Sequence, residues 1–65
     1  MGYANLRAEM ARQGITVKQL AKLLGVSLKT ASNRLSGKTE FTLSEALEIN
    51  EKLFPDCDLS YLFDQ

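Results

Sequence analysis

Lys29, Thr30, Ser32, Asn33, Arg34 and Ser36 stand within one short segment and carry between them two cations, three hydroxyls and an amide. Without a neighbouring base such groups donate and accept hydrogen bonds but do not attack substrates, so the chemistry they offer is recognition. The rest of the chain adds nothing catalytic. There is no histidine, the single cysteine, Cys57, lies between Asp56 and Asp58, and no glycine-rich phosphate loop occurs. Acidic neighbours oppose thiolate formation, and no pair of carboxylates spans a plausible cleft. The expectation is a protein that is not an enzyme and has no cofactor and no metal.

At about 100° per residue, Leu28, Ala31 and Leu35 fall within an arc roughly 60° wide, the expected packed side of a helix. Lys29, Ser32, Asn33 and Ser36 span about 100° of the remaining surface without an apolar side chain, and Thr30 and Arg34 flank them. A solvated helix face has a similar composition, but the residue types differ. Wet faces favour Glu, Lys, Gln and Ala, whereas Thr, Ser and Asn have poorer helix propensity. No acidic residue occurs from Gly14 to Thr39. Short hydroxyl and amide groups suit base edges and phosphate oxygens at close range, where a carboxylate would be repelled.

The elements that would hold this face are helical throughout. Asn5 to Gln13 pairs Leu6 with Met10 and stops at Gly14. Thr16 offers an N-cap with Gln19 as its capping-box partner, and Val17, Leu20, Ala21 and Leu24 keep apolar spacing up to Gly25. Only Gly25 and Val26 precede the next cap, Ser27, and two helices joined so briefly with glycine first form a helix-turn-helix. The third helix runs from Leu28 to Leu35 or Ser36 and ends at Gly37. Thr42 and Glu45 form a second capping box, after which Leu43, Ala46, Leu47, Ile49, Leu53 and Phe54 supply an inward face until Pro55. Asn50 lies in that arc, either exposed or buried with a partner. A short last helix follows an Asp58 cap and presents Leu59, Leu62 and Phe63.

Sixty-five residues make one small domain, and 45% hydrophobic with 25% charged residues is an ordinary globular composition. A lone cysteine and no apolar run near the ~18 residues of a membrane span point to the cytoplasm. Net charge is zero, which taken whole argues against a polyanionic partner. Its distribution argues the reverse. Arg12 to Glu40 holds six cations against one anion, a net +5, and Phe41 to Gln65 holds one cation against six anions, a net −5. Such a dipole turns one side toward a polyanion and the other away.

The stretch ITVKQLAKLLGVSLKTASNRLSGKT, from Ile15 to Thr39, resembles the helix-turn-helix of the phage lambda repressor and Cro class. The likeness rests on the Leu20 and Ala21 pair, the LGVS turn from Leu24 to Ser27, and SGK from Ser36 to Lys38. FTLSEAL, from Phe41 to Leu47, is similar to the phage-type branch. The resemblance implies an all-α, five-helix lambda-repressor-like domain over residues 1–65, with its motif at about 16–36.

It also implies a sequence-specific regulator of transcription that binds double-stranded operator DNA, of phage or prophage Cro or repressor type. The base-reading residues would be Ser27, Leu28, Lys29, Ser32 and Asn33. Asn33 suits adenine, Lys29 suits guanine O6 and N7, and Leu28 suits a thymine methyl. Thr16, Val17, Lys18, Thr30, Arg34, Lys38 and Thr39 would meet phosphates. Two departures stand out: Val17 occupies a place where many relatives have Gln, and Arg34 one where an apolar residue is common. A homodimer, at least on DNA, would span two half-sites. Its expected interface is Leu59, Tyr61, Leu62 and Phe63, residues whose alternative use is to close the core. No membrane or small-molecule partner is expected, and the location would be the bacterial cytoplasm at the nucleoid. The FDQ ending leaves no linker, which favours a complete, Cro-sized regulator. The rival is a protein-binding module or antitoxin-like adapter on the same fold, which neutral net charge favours.

Overall fold

A computed structural model describes residues 2–64. Met1 and Gln65, the ends of the expected single domain, lie outside the described residues. Five helices follow in order: α1 (Ala4–Gln13), α2 (Val17–Leu24), α3 (Leu28–Leu35), α4 (Leu43–Leu53) and α5 (Leu59–Leu62). No strand occurs among the described residues. The fold is all-α, as the apolar spacing predicts.

The caps form where the sequence places them. Thr16 Oγ1 accepts the Gln19 N–H at 3.1 Å and Gln19 Oε1 accepts the Thr16 N–H at 2.7 Å. Thr42 and Glu45 repeat this at 3.1 and 2.9 Å, and Ser27 Oγ accepts the Thr30 N–H at 3.1 Å. Each satisfies donors that a helix start leaves open. Between α2 and α3, Gly25 adopts φ 70°, and the Val26 N–H reaches back to the Ala21 carbonyl at 3.1 Å. That left-handed step strains any residue with a Cβ, so glycine there lets the chain reverse within three residues. Asp58 differs from expectation: it precedes α5 but makes no side-chain cap. The one-turn α5 is held instead by packing and by two bonds to α1, Asn5 Nδ2 donating to the Tyr61 carbonyl at 2.9 Å and the Tyr61 hydroxyl donating to Glu9 Oε2 at 3.0 Å.

The core joins Leu6 and Met10 of α1, Leu20 of α2, Leu35 of α3, Ile49 of α4, Phe54 and Leu62. Tyr3, Phe41 and Phe63 close one side as three mutual edge-on pairs with ring centroids 5.0 to 5.8 Å apart. The Tyr3 hydroxyl accepts the Phe41 N–H at 3.3 Å. Gly2 lies so close to the Leu35 and Ser36 carbonyls that a Cβ would overlap them, which lets the N-terminal segment lie directly on the end of α3.

Three expectations are corrected or resolved by this packing. Leu43 and Leu47 do not face inward; they are 69% and 40% exposed. Ala46, Ile49 and Leu53 already fill an arc of about 60°, the width one helix side can bury here, and the other two fall on the adjoining side. Leu62 is 0% exposed and Phe63 is half-buried in the aromatic trio, so both close the core rather than stand as a surface contact. Asn50 is half-buried with partners, its Nδ2 donating to the Phe54 carbonyl at 2.9 Å and the Cys57 carbonyl at 2.8 Å. It closes the turn after α4.

Candidate nucleic-acid interface

Ala31, at 0% exposure, and Leu35 seat α3 against the core. Leu28, expected on that packed side, is instead 56% exposed. It is the first residue of α3, and two apolar contacts suffice to hold an eight-residue helix capped at its start. An exposed Leu28 is available for an apolar contact with a partner.

The polar face divides by whether each side chain is already engaged. Lys29 and Ser32 are exposed and Asn33 is half-buried, and none of their side chains has a hydrogen-bond or ion-pair partner among the described residues. Ser27 and Thr30 are occupied with each other. The Ser27 hydroxyl donates to Thr30 Oγ1 at 2.9 Å while accepting the Thr30 N–H, so the cap uses part of their capacity.

Three donors of the loop after α3 gather on one carbonyl. Asn33 O accepts from the Ser36 hydroxyl at 3.0 Å, the Lys38 N–H at 3.0 Å and the Thr39 N–H at 3.3 Å. Lys38 and Thr39 are thereby fixed beside the helix end, and both are exposed. At the start of α2 the capping box consumes the N–H groups of Thr16 and Gln19, and those of Val17 and Lys18 have no intrahelical acceptor. Val17, Ser32 and Ser36 all border one cleft of about 370 Å³. The first residue of α2 and the Ser32 to Ser36 side of α3 thus share one cleft.

Arg34 behaves differently from the phosphate ligand expected of it. Its Nη1 donates to the Glu40 carbonyl at 2.9 Å and lies 3.0 Å from Glu45 Oε1. The side chain is 19% exposed and its Nε is buried without a partner. A guanidinium so held crosses to α4 and is withdrawn from the polar face. Arg12 is likewise engaged, 2.6 Å from Glu9 Oε2. Two of the six cations between Arg12 and Glu40 are thus already paired with carboxylates. The other four, Lys18, Lys22, Lys29 and Lys38, are all exposed and unpaired among the described residues. The +5 of the sequence overstates the free positive charge, but what remains is entirely lysine and entirely on the surface.

Arg7 precedes the cationic Arg12 to Glu40 stretch. It is exposed and borders the same cleft as Ser32. Its place on α1 gives no local signal of that, because only tertiary packing brings α1 beside α3.

No group of His, Cys, Asp and Glu among the described residues is arranged to hold a metal ion, and no described helix is long and apolar enough to cross a membrane. A protein-family model described as helix-turn-helix matches residues 6–62. No match is found among curated proteins or among solved structures.

Proposed function

Because the chain belongs to the helix-turn-helix family of the lambda repressor and Cro type, a family of DNA-binding transcription regulators, we propose that it is a sequence-specific regulator that reads operator half-sites through the major groove, of phage or prophage origin and acting at the bacterial nucleoid. The observation that carries this is α3 itself: Lys29, Ser32 and Asn33 project unengaged polar groups from a helix without carboxylates. Those groups match base edges, Asn33 for adenine and Lys29 for guanine, with exposed Leu28 for a thymine methyl. Ser27 joins them through whatever capacity its cap leaves.

The open N–H groups of Val17 and Lys18, at the positive end of α2, supply a phosphate seat in place of the amide side chain that Val17 lacks. The Lys18 side chain stands at that helix start, Lys38 and Thr39 offer further phosphate contacts from the loop after α3, and Thr16 and Thr30 contribute only beyond their capping bonds. Arg34 is left out of this set.

The dimer needed to span two half-sites is assigned to the exposed leucines. Leu43 on α4 shares a shallow groove with half-buried Leu59 and Phe63, and exposed Leu47 follows it one turn along the same helix. Tyr61, 41% exposed, lies at the edge of α5. Leucines this open on a small domain favour contact with protein, which a second copy would supply.

Selection from random duplexes followed by a salt titration tests the reading. An enriched sequence and a log affinity falling linearly with log salt are expected. No enrichment, or a flat salt dependence, would leave the protein-binding alternative in its place.

A further inference from the structure

The cleft between α1 and α3 is floored by Met10, Ile15 and Leu35 and edged by Arg7, Ser32 and Ser36. No carboxylate lines it. The chain has three arginines, and two of them are held by carboxylates, Arg12 by Glu9 and Arg34 by Glu45. The Arg7 guanidinium alone has no hydrogen bond or ion pair among the described residues, although Glu9 lies only two positions along α1. A free guanidinium at the rim of an apolar cleft is a seat for an anion that carries an apolar part, since the planar fork engages two anionic oxygens at once.

We propose that this cleft takes a deoxyribose-phosphate unit of bound DNA, and that Arg7 is a phosphate ligand lying outside the helix-turn-helix motif. The inference rests on the DNA-binding reading and extends it to the first helix. Three features favour the DNA backbone as occupant. Ser32, an unengaged candidate base reader, forms one edge of the cleft, so a strand followed by α3 passes its mouth. Val17, at the open start of α2, borders the same space and brings no polar side chain of its own, which leaves Arg7 as the side-chain charge there. The apolar floor matches the carbon face of a sugar, and the cleft of about 370 Å³ is roomy enough for one such unit. The Ser36 hydroxyl is already directed to the Asn33 carbonyl, so the phosphate falls to Arg7.

The test compares wild type with Arg7→Gln, Arg7→Lys and Lys38→Ala on a selected duplex, after thermal melts establish that each is folded. Arg7→Gln is expected to shallow the slope of log affinity against log salt by about 0.9, the loss of one phosphate contact, without altering the selected sequence. Arg7→Lys keeps the slope and loses affinity through the missing fork. A duplex carrying single methylphosphonates should then reveal a phosphate per half-site that matters to wild type and is indifferent to Arg7→Gln. If Arg7→Gln keeps both the wild-type slope and the wild-type methylphosphonate profile while Lys38→Ala shallows the slope, Arg7 is not a ligand and the DNA-binding reading survives. If wild type itself shows no salt-dependent duplex binding, both are wrong.

Discussion

Arg34 of α3 and Glu45 of α4 meet with Nη1 and Oε1 3.0 Å apart, and the same carboxylate oxygen accepts the Thr42 N–H that begins α4. One side chain thus caps a helix and anchors the cation of another. The pair couples the candidate recognition helix to the body of the fold across the loop that carries Lys38. A residue that reads in sequence as one more positive charge for DNA becomes, once folded, a strut.

Arg34→Ala and Glu45→Gln are each expected to destabilise the protein by about 1 to 2 kcal/mol, less than a fully buried pair would cost because both groups keep some solvent access. In a domain this small that lowers the melting temperature by roughly 4 to 8 °C per kcal/mol. Urea denaturation measures the loss. A strut also predicts that Arg34→Ala leaves the salt slope of DNA binding intact, and a shallower slope would return Arg34 to the phosphate ligands.

Lys29→Ala and Asn33→Ala are expected to cost about 1 to 3 kcal/mol each at particular base pairs and to relax the preference there. Lys38→Ala should weaken all sequences alike and shallow the salt slope by about 0.9. Binding to a panel of single-substitution duplexes separates the two behaviours, and a uniform loss for all three variants would dissolve the division between base readers and phosphate contacts.

Leu43→Glu and Leu47→Glu change exposed residues, so the monomer should keep its melting temperature while DNA-bound complexes shift from two copies per operator to one. Sedimentation with labelled duplex reads that stoichiometry. Leu62→Ala should act oppositely, losing about 2 to 5 kcal/mol of stability through a cavity at a fully buried site. An unstable Leu43 variant, or two copies per operator with both exposed leucines changed, would move the dimer contact elsewhere.

Alkaline pH should weaken the fold through two acids. The Tyr61 hydroxyl is raised above its ordinary value chiefly by its hydrogen bond to Glu9, at 3.0 Å. The Cys57 thiol is raised by desolvation, with Glu9 and Asp56 adding repulsion. In each case the folded state holds its proton more tightly than the unfolded chain. The associated stability is complete below the unfolded pKa and is lost as pH rises through the folded one. Denaturation midpoints should therefore fall above about pH 9, the onset of ordinary thiol and phenol ionisation, and Tyr61→Phe should flatten the upper part of that decline. An identical profile in Tyr61→Phe would deny the bond its role.

Short-range physics made much of this protein readable from its residues alone. Caps at Thr16, Ser27 and Thr42, left-handed exits at Gly14, Gly25 and Gly37, and apolar spacing within each helix are all settled over four to six neighbouring positions, so the first four helices and the three-residue turn follow from local chemistry. The identity of α3 as the polar, carboxylate-free helix is likewise written in its composition. What the residues could not determine is which of several equivalent apolar or charged groups finds a partner far along the chain. Leu43, Leu47 and Leu62 carry the same side chain and similar spacing, yet only Leu62 is covered, because burial depends on which helix lies opposite. Arg12 meets Glu9 within its own helix, three positions back, whereas only the packing of α3 beside α4 decides that Arg34 meets Glu45, and only the packing of α1 leaves Arg7 open to the cleft.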